Sequence, residues 1–136
     1  MSRSPILVLI LAAALMSPGC GGGSDPNKRD PKKDASIVTA EREMDHQAYD
    51  DALARMKALD GYRDAAKRLE AFKVRAARET LDNAESKNLR KAPRAAMSLA
   101  KTSLKYHPTA EARAFYKKAS RAHDKFKRKN QAAGHF

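Results

Sequence analysis

The chain has one cysteine and no tryptophan in 136 residues. A single thiol closes no internal disulfide, so no disulfide framework is expected to hold this protein together. Glycine is scarce after residue 23, where only Gly61 and Gly134 remain, and no glycine-rich phosphate cradle follows the opening segment. No stretch alternates apolar with polar residues, which excludes strands. The longest apolar run, Ile6 to Met16, has eleven residues. A membrane-spanning helix needs ~20. His46, His107, His123 and His135 are scattered, and no serine–histidine–acid set is brought together by the turns. The one cluster of metal-type ligands is Glu43, His46 and Asp50, at i, i+3 and i, i+4 spacing on one helical face. A metal site in a helical bundle needs a second such unit on another helix, and none exists. Neither an enzyme nor a metal protein is expected.

What is present begins with an address. Arg3 followed by the run Ile6–Met16 has the layout of a secretory signal. Ser17-Pro18-Gly19-Cys20 resembles the lipobox of bacterial lipoproteins. In that family a cysteine preceded by small residues is lipidated on sulfur and becomes the new N-terminus. Gly19 fits the position before the cysteine, Ser17 stands where leucine is usual, and Pro18 departs from the pattern. The resemblance implies a covalent lipid on Cys20, no other cofactor, and attachment to a membrane of a bacterial cell envelope. Small Ser17 and Gly19 also suit an ordinary signal peptidase, which would release a soluble exported protein.

The mature chain divides in two. Residues 20–34, the anchor cysteine and GGGSDPNKRDPKKD, carry no apolar side chains except two prolines and read as a flexible tether. From 35 to 130 the composition turns to Ala, Lys, Arg, Leu and Glu, which is helix-forming throughout. The expected fold is all-α: about four helices in antiparallel hairpins, with a frayed tail at 131–136. The first helix is expected over 35–59, carried by Ile37, Met44, Ala48, Met56 and Leu59 and stopped by Asp60-Gly61. The second is expected over 63–85, with Tyr62, Ala65, Ala66, Leu69, Phe72, Ala76 and Thr80 inward. Pro93 opens the third and His107-Pro108 ends it. Thr109 caps the fourth, whose inner residues are Ala112, Phe115, Tyr116, Ala119 and Phe126.

Within this pattern, residues 58–86 (ALDGYRDAAKRLEAFKVRAARETLDNAES) resemble a bacterial helical repeat of the tetratricopeptide type. Leu59, Gly61, Tyr62, Asp64, Ala65, Leu69 and Ala77 fit the repeat, with Asp60 inserted. Ala96, Ser103 and Pro108 echo a second unit whose first-helix signature is missing from 80–87. The resemblance implies a scaffold that presents a surface to a protein partner. An alanine-rich four-helix bundle is the alternative.

Charge separates the two halves. Residues 35–85 hold nine Lys/Arg against eleven Asp/Glu, whereas residues 86–136 hold fourteen Lys/Arg against only Glu111 and Asp124. The expected contact surface is Arg113, Lys117, Lys118, Arg121, Lys125, Lys127, Arg128 and Lys129. At 100° per residue Arg113, Lys117, Arg121, Lys125 and Arg128 form one stripe away from the apolar face. Such a face points to an acidic protein or an anionic envelope polymer or lipid. Nucleic acid is not the expected partner, because Tyr106, Phe115, Tyr116 and Phe126 read as core and leave few rings for stacking. The function expected is therefore that of a membrane-anchored adaptor. An exported nucleic-acid- or polymer-binding module, or a purely structural lipoprotein, is the alternative.

Overall fold

The computed structural model describes residues 28–134. The signal segment, Cys20, residues 21–27 of the tether and residues 135–136 lie outside the described residues. Five helices follow one another: α1 (Pro31–Asp45), α2 (Tyr49–Lys57), α3 (Ala65–Glu85), α4 (Pro93–Tyr106) and α5 (Ala110–Ala132). The described residues contain no strand. The fold is all-α, built of packed hairpins.

Several boundaries differ from expectation. The first helix begins at Pro31 rather than at 35, because Asp30 caps it: its carboxylate accepts from Lys32 N–H at 3.0 Å, and proline suits the first helical position. Residues 31–34 are thus helical and not tether. The helix expected over 35–59 is two helices, broken at His46–Ala48. There Gln47 takes a positive φ of 61°. Its N–H donates to the Met44 carbonyl at 3.1 Å and the Ala48 N–H donates to that of Glu43 at 2.8 Å. That pairing is the Schellman closure of a helix end, with glutamine where glycine is usual. At the other end α5 runs to Ala132, two residues into the segment expected to fray, and closes on Gly134 at φ 70°.

Packing is serial. Each helix lies on its chain neighbours, α1 on α2, α2 on α3, α3 on α4 and α4 on α5, and α1 touches α3 lightly. α5 packs on α4. This arrangement is consistent with a helical-repeat domain, in which each unit rests on the next.

The core explains the close approach. Ala40, Ala52, Ala76, Ala84, Ala96, Ala100, Ala112 and Ala119 are fully buried, so backbones can meet with little side chain between them. Met44 and Met56 are the largest fully buried side chains, and Ile37, Leu59, Tyr62 and Leu81 add further bulk to the core. Gly61, at φ 76°, and Arg63, at φ 45°, turn the chain from α2 into α3. Tyr62 fills that corner and is 5% exposed. Its hydroxyl accepts from Asp30 N–H at 2.9 Å and donates to Asp34 Oδ1 at 2.7 Å, which ties the start of α1 to the corner. Between α3 and α4, the Ser103 hydroxyl donates to the Ala77 carbonyl at 2.6 Å. Ala66, expected inward, is exposed.

Candidate functional site

The two halves treat their charges differently. In the first half most of the acids are paired. Arg55 binds Glu43 at 2.6 Å, and Arg68 bridges Glu41 at 2.6 Å and Asp64 at 3.0 Å. Arg75 bridges Asp45 at 3.0 Å and Glu79 at 2.7 Å, linking α1 to α3. These contacts hold the carboxyls of Glu43 and Asp64 below the usual range, chiefly through the arginine hydrogen bonds. Glu79 is lowered mainly by the Tyr49 hydroxyl and Asp34 by that of Tyr62. Tyr49 also packs edge-to-face on Tyr106, with ring centroids 5.8 Å apart, which seats the end of α4 against α2.

The second half has almost no such pairing. Among the described residues, Lys105 alone of its basic side chains lies in an ion pair, at 3.7 Å from Asp50 on α2. Arg113, Lys117, Lys118, Arg121, Lys125, Lys127, Arg128 and Lys129 are all exposed on α5. Ala112 and Ala119, fully buried, mark the opposite side of that helix. The steps Arg113–Lys117–Arg121–Lys125–Lys129 place like charges four apart, and each such step costs an isolated helix about 0.2–0.5 kcal/mol. Glu111 and Asp124 relieve none of them by an ion pair among the described residues.

Phe126 is not core. It is 37% exposed, because α4 begins only at Pro93 and leaves the last turns of α5 without a helix beneath them. Leu89, Arg90, Ala122, Lys125, Phe126 and Lys129 line a cleft of about 370 Å³. A second cleft, of about 560 Å³, is lined by Lys91, Pro93, Arg94, His123, Phe126 and Lys127, among others. Phe126 is common to both. Arg90 and Lys91 come from the α3–α4 turn and Arg94 from the first turn of α4; in the α3–α4 turn Asn88 Oδ1 accepts from Arg90 N–H at 2.9 Å and its carbonyl accepts from Ala92 N–H at 2.7 Å. The sequence stripe on α5 thus continues onto a second element that the α5 pattern alone does not reveal. The only signal was local: three basic residues within five positions beside a proline helix start.

The Glu43, His46 and Asp50 set does not share one face. The break at Gln47 separates it: Glu43 is engaged by Arg55, His46 closes α1, and Asp50 opens α2 beside Lys105. Among the described residues no group of three or more His, Cys, Asp or Glu is placed to hold a metal ion. None of the described helices is long and apolar enough to cross a membrane. A groove of about 310 Å³ runs over α4 between α3 and the start of α5, with Val74, Arg78, Ser103 and Glu111 on its walls.

No protein family, no curated protein and no solved structure matches this chain.

Proposed function

We propose that the chain is a membrane-anchored, non-enzymatic helical adaptor of a bacterial cell envelope. Cys20 carries the lipid, and the basic second half holds an acidic protein or an anionic envelope surface. The observation that supports this reading most is the unequal pairing of charge. Most acids of α1–α3 lie in ion pairs, chiefly with arginines, while among the described residues Lys105 of α4 is the one basic side chain of the second half in an ion pair. Uncompensated charge of one sign repels itself and attracts counter-charge from outside. The serial packing of the helices suits a scaffold that exposes long faces.

One observation favours a second reading, an exported nucleic-acid-binding module. Phe126, exposed among basic side chains, offers a base one ring to stack on.

Two measurements test the leading reading. Cys20→Ser is expected to release the protein from envelope membranes and abolish incorporation of labelled fatty acid; a wild-type protein that is already soluble contradicts the anchor. The full chain is expected to partition into anionic vesicles more than into neutral ones. That preference should decay as salt shortens the Debye length from about 10 Å at 0.1 M to about 3 Å at 1 M. A preference that persists at 1 M salt, or is absent at low salt, contradicts the electrostatic contact.

A further inference from the structure

Basic residues of α5 and those of the α3–α4 turn and the start of α4 meet around one exposed ring. Arg90 lies with Lys125 and Lys129 in the cleft on one side of Phe126, while Lys91, Arg94 and Lys127 lie in the cleft on the other. All six are exposed. Leu89, half-buried, is the second apolar side chain of the group. The Phe126 ring is 37% exposed here, whereas Tyr62 is buried in the core.

We infer that this end of the molecule, centred on Phe126, docks on an anionic lipid bilayer, with the ring entering the headgroup boundary and the six basic side chains on headgroup phosphates. This rests on the proposed contact between the basic half and an anionic partner, and names both the partner and the point of contact. Three observations favour a bilayer. First, four of the six basic residues are lysines, point charges on flexible stems that suit a diffuse anionic surface better than a shaped ligand. Second, none of the six is held by a hydrogen bond from its side chain among the described residues, so no donor is fixed in place for directional recognition. Third, the patch offers one aromatic ring. A single ring suits an interfacial anchor flanked by basic residues, whereas a nucleic-acid track uses several rings for successive bases.

The absence of tryptophan makes the test local. The full chain carrying Phe126→Trp has one indole, placed at the proposed contact. Its emission is read on vesicles of phosphatidylcholine and on vesicles that also contain phosphatidylglycerol. The expected result is a blue shift, with protection from an aqueous quencher, on the anionic vesicles only. The shift should be lost at 1 M salt, and lost when Lys125, Lys127 and Lys129 are also reversed to glutamate. Leu89→Trp, across the first cleft, carries the same test if Phe126→Trp lowers the helical content. The local readout is unaffected by vesicle binding through the apolar Ile6–Met16 run.

Binding to anionic vesicles with the indole still open to quencher overturns the inference while leaving the anionic contact of the basic half intact. An equal shift on neutral vesicles overturns it as well, since charge would then play no part. A response to a single-stranded oligonucleotide or to polyglutamate, with none to vesicles, assigns the patch to another partner and overturns it too. Loss of every preference for anionic vesicles removes both this inference and the reading beneath it.

Discussion

Ala119 sits where α5 meets α4, with no exposed surface. α5 rests on α4 and has no other extensive contact, so nothing else holds it in place if that seam opens. Ala119→Leu adds three carbons at a point where the backbones approach closely. Overpacking of this kind costs about 1–3 kcal/mol. For a domain of about 100 residues that is a fall of roughly 5–20 °C in Tm. Ala114→Leu is the control: residue 114 is exposed on the outer side of the same helix, and its replacement should change stability by less than about 0.5 kcal/mol. The assay is thermal unfolding followed by far-UV circular dichroism, with limited trypsin digestion alongside. The lysines and arginines of α5 should be cut faster in Ala119→Leu than in Ala114→Leu, because the strained helix lifts before the rest unfolds. Equal melting temperatures and equal cleavage for the two variants would refute the claim that an alanine seam alone secures α5.

Three other outcomes are expected. Gly61→Ala should cost about 1 kcal/mol and Gly61→Val more, because φ 76° strains any side chain even though a Cβ there meets nothing within 4 Å; chemical denaturation measures it. Ser103→Ala should cost about 0.5–1.5 kcal/mol, since Ser103 is 1% exposed and its hydroxyl reaches across to the Ala77 carbonyl, and hydrogen exchange of α4 should rise with it. Stability should also fall at both ends of the pH scale. Asp34, Glu43, Asp64 and Glu79 have lowered pKa values, so their contributions are present at neutral pH and lost as acid protonates them, below about pH 4. Tyr106 is pushed up to about 12 by burial and the nearby Asp50, so its contribution is full below the unfolded value of about 10 and lost as pH rises past 12. Melting temperatures across the range check both limbs, and Glu79→Gln should flatten the acid one.

Much of the fold was legible because it rests on local chemistry. Pro93 opening α4, His107-Pro108 closing it, Thr109 accepting from Ala112 N–H at 3.1 Å, and Gly61 at positive φ are all positions where one residue type satisfies one backbone need. The break after α1 was not legible, since Gln47 adopts a left-handed turn with no glycine or proline to announce it. Ile37, Met44, Met56 and Leu59 happen to keep helical spacing across that turn, which hides it. The start of α1 carried its signal in Asp30-Pro31, a cap and a first-turn proline, but the flanking lysines gave the segment the composition of a linker. The basic face of α5 was readable from the 100° period. Its extension was not, because whether Phe126 is covered depends on where α4 begins, and that is a tertiary fact.

The central claim is that the position of the unpaired basic charge, and not the net charge of the chain, draws the anionic partner. Two triple variants of equal net charge separate these. One reverses Lys117, Arg121 and Lys125 to glutamate on α5; the other reverses Lys57, Lys67 and Arg78, exposed residues of α2 and α3. The measurement is the ratio of partition into anionic over neutral vesicles at low salt, with helical content checked for both. A basic residue near an anionic surface contributes about 1 kcal/mol. Reversal on α5 should therefore lower the ratio at least tenfold, while reversal on α2 and α3 should leave most of it. An equal fall in both variants, or no fall in either, would contradict the account.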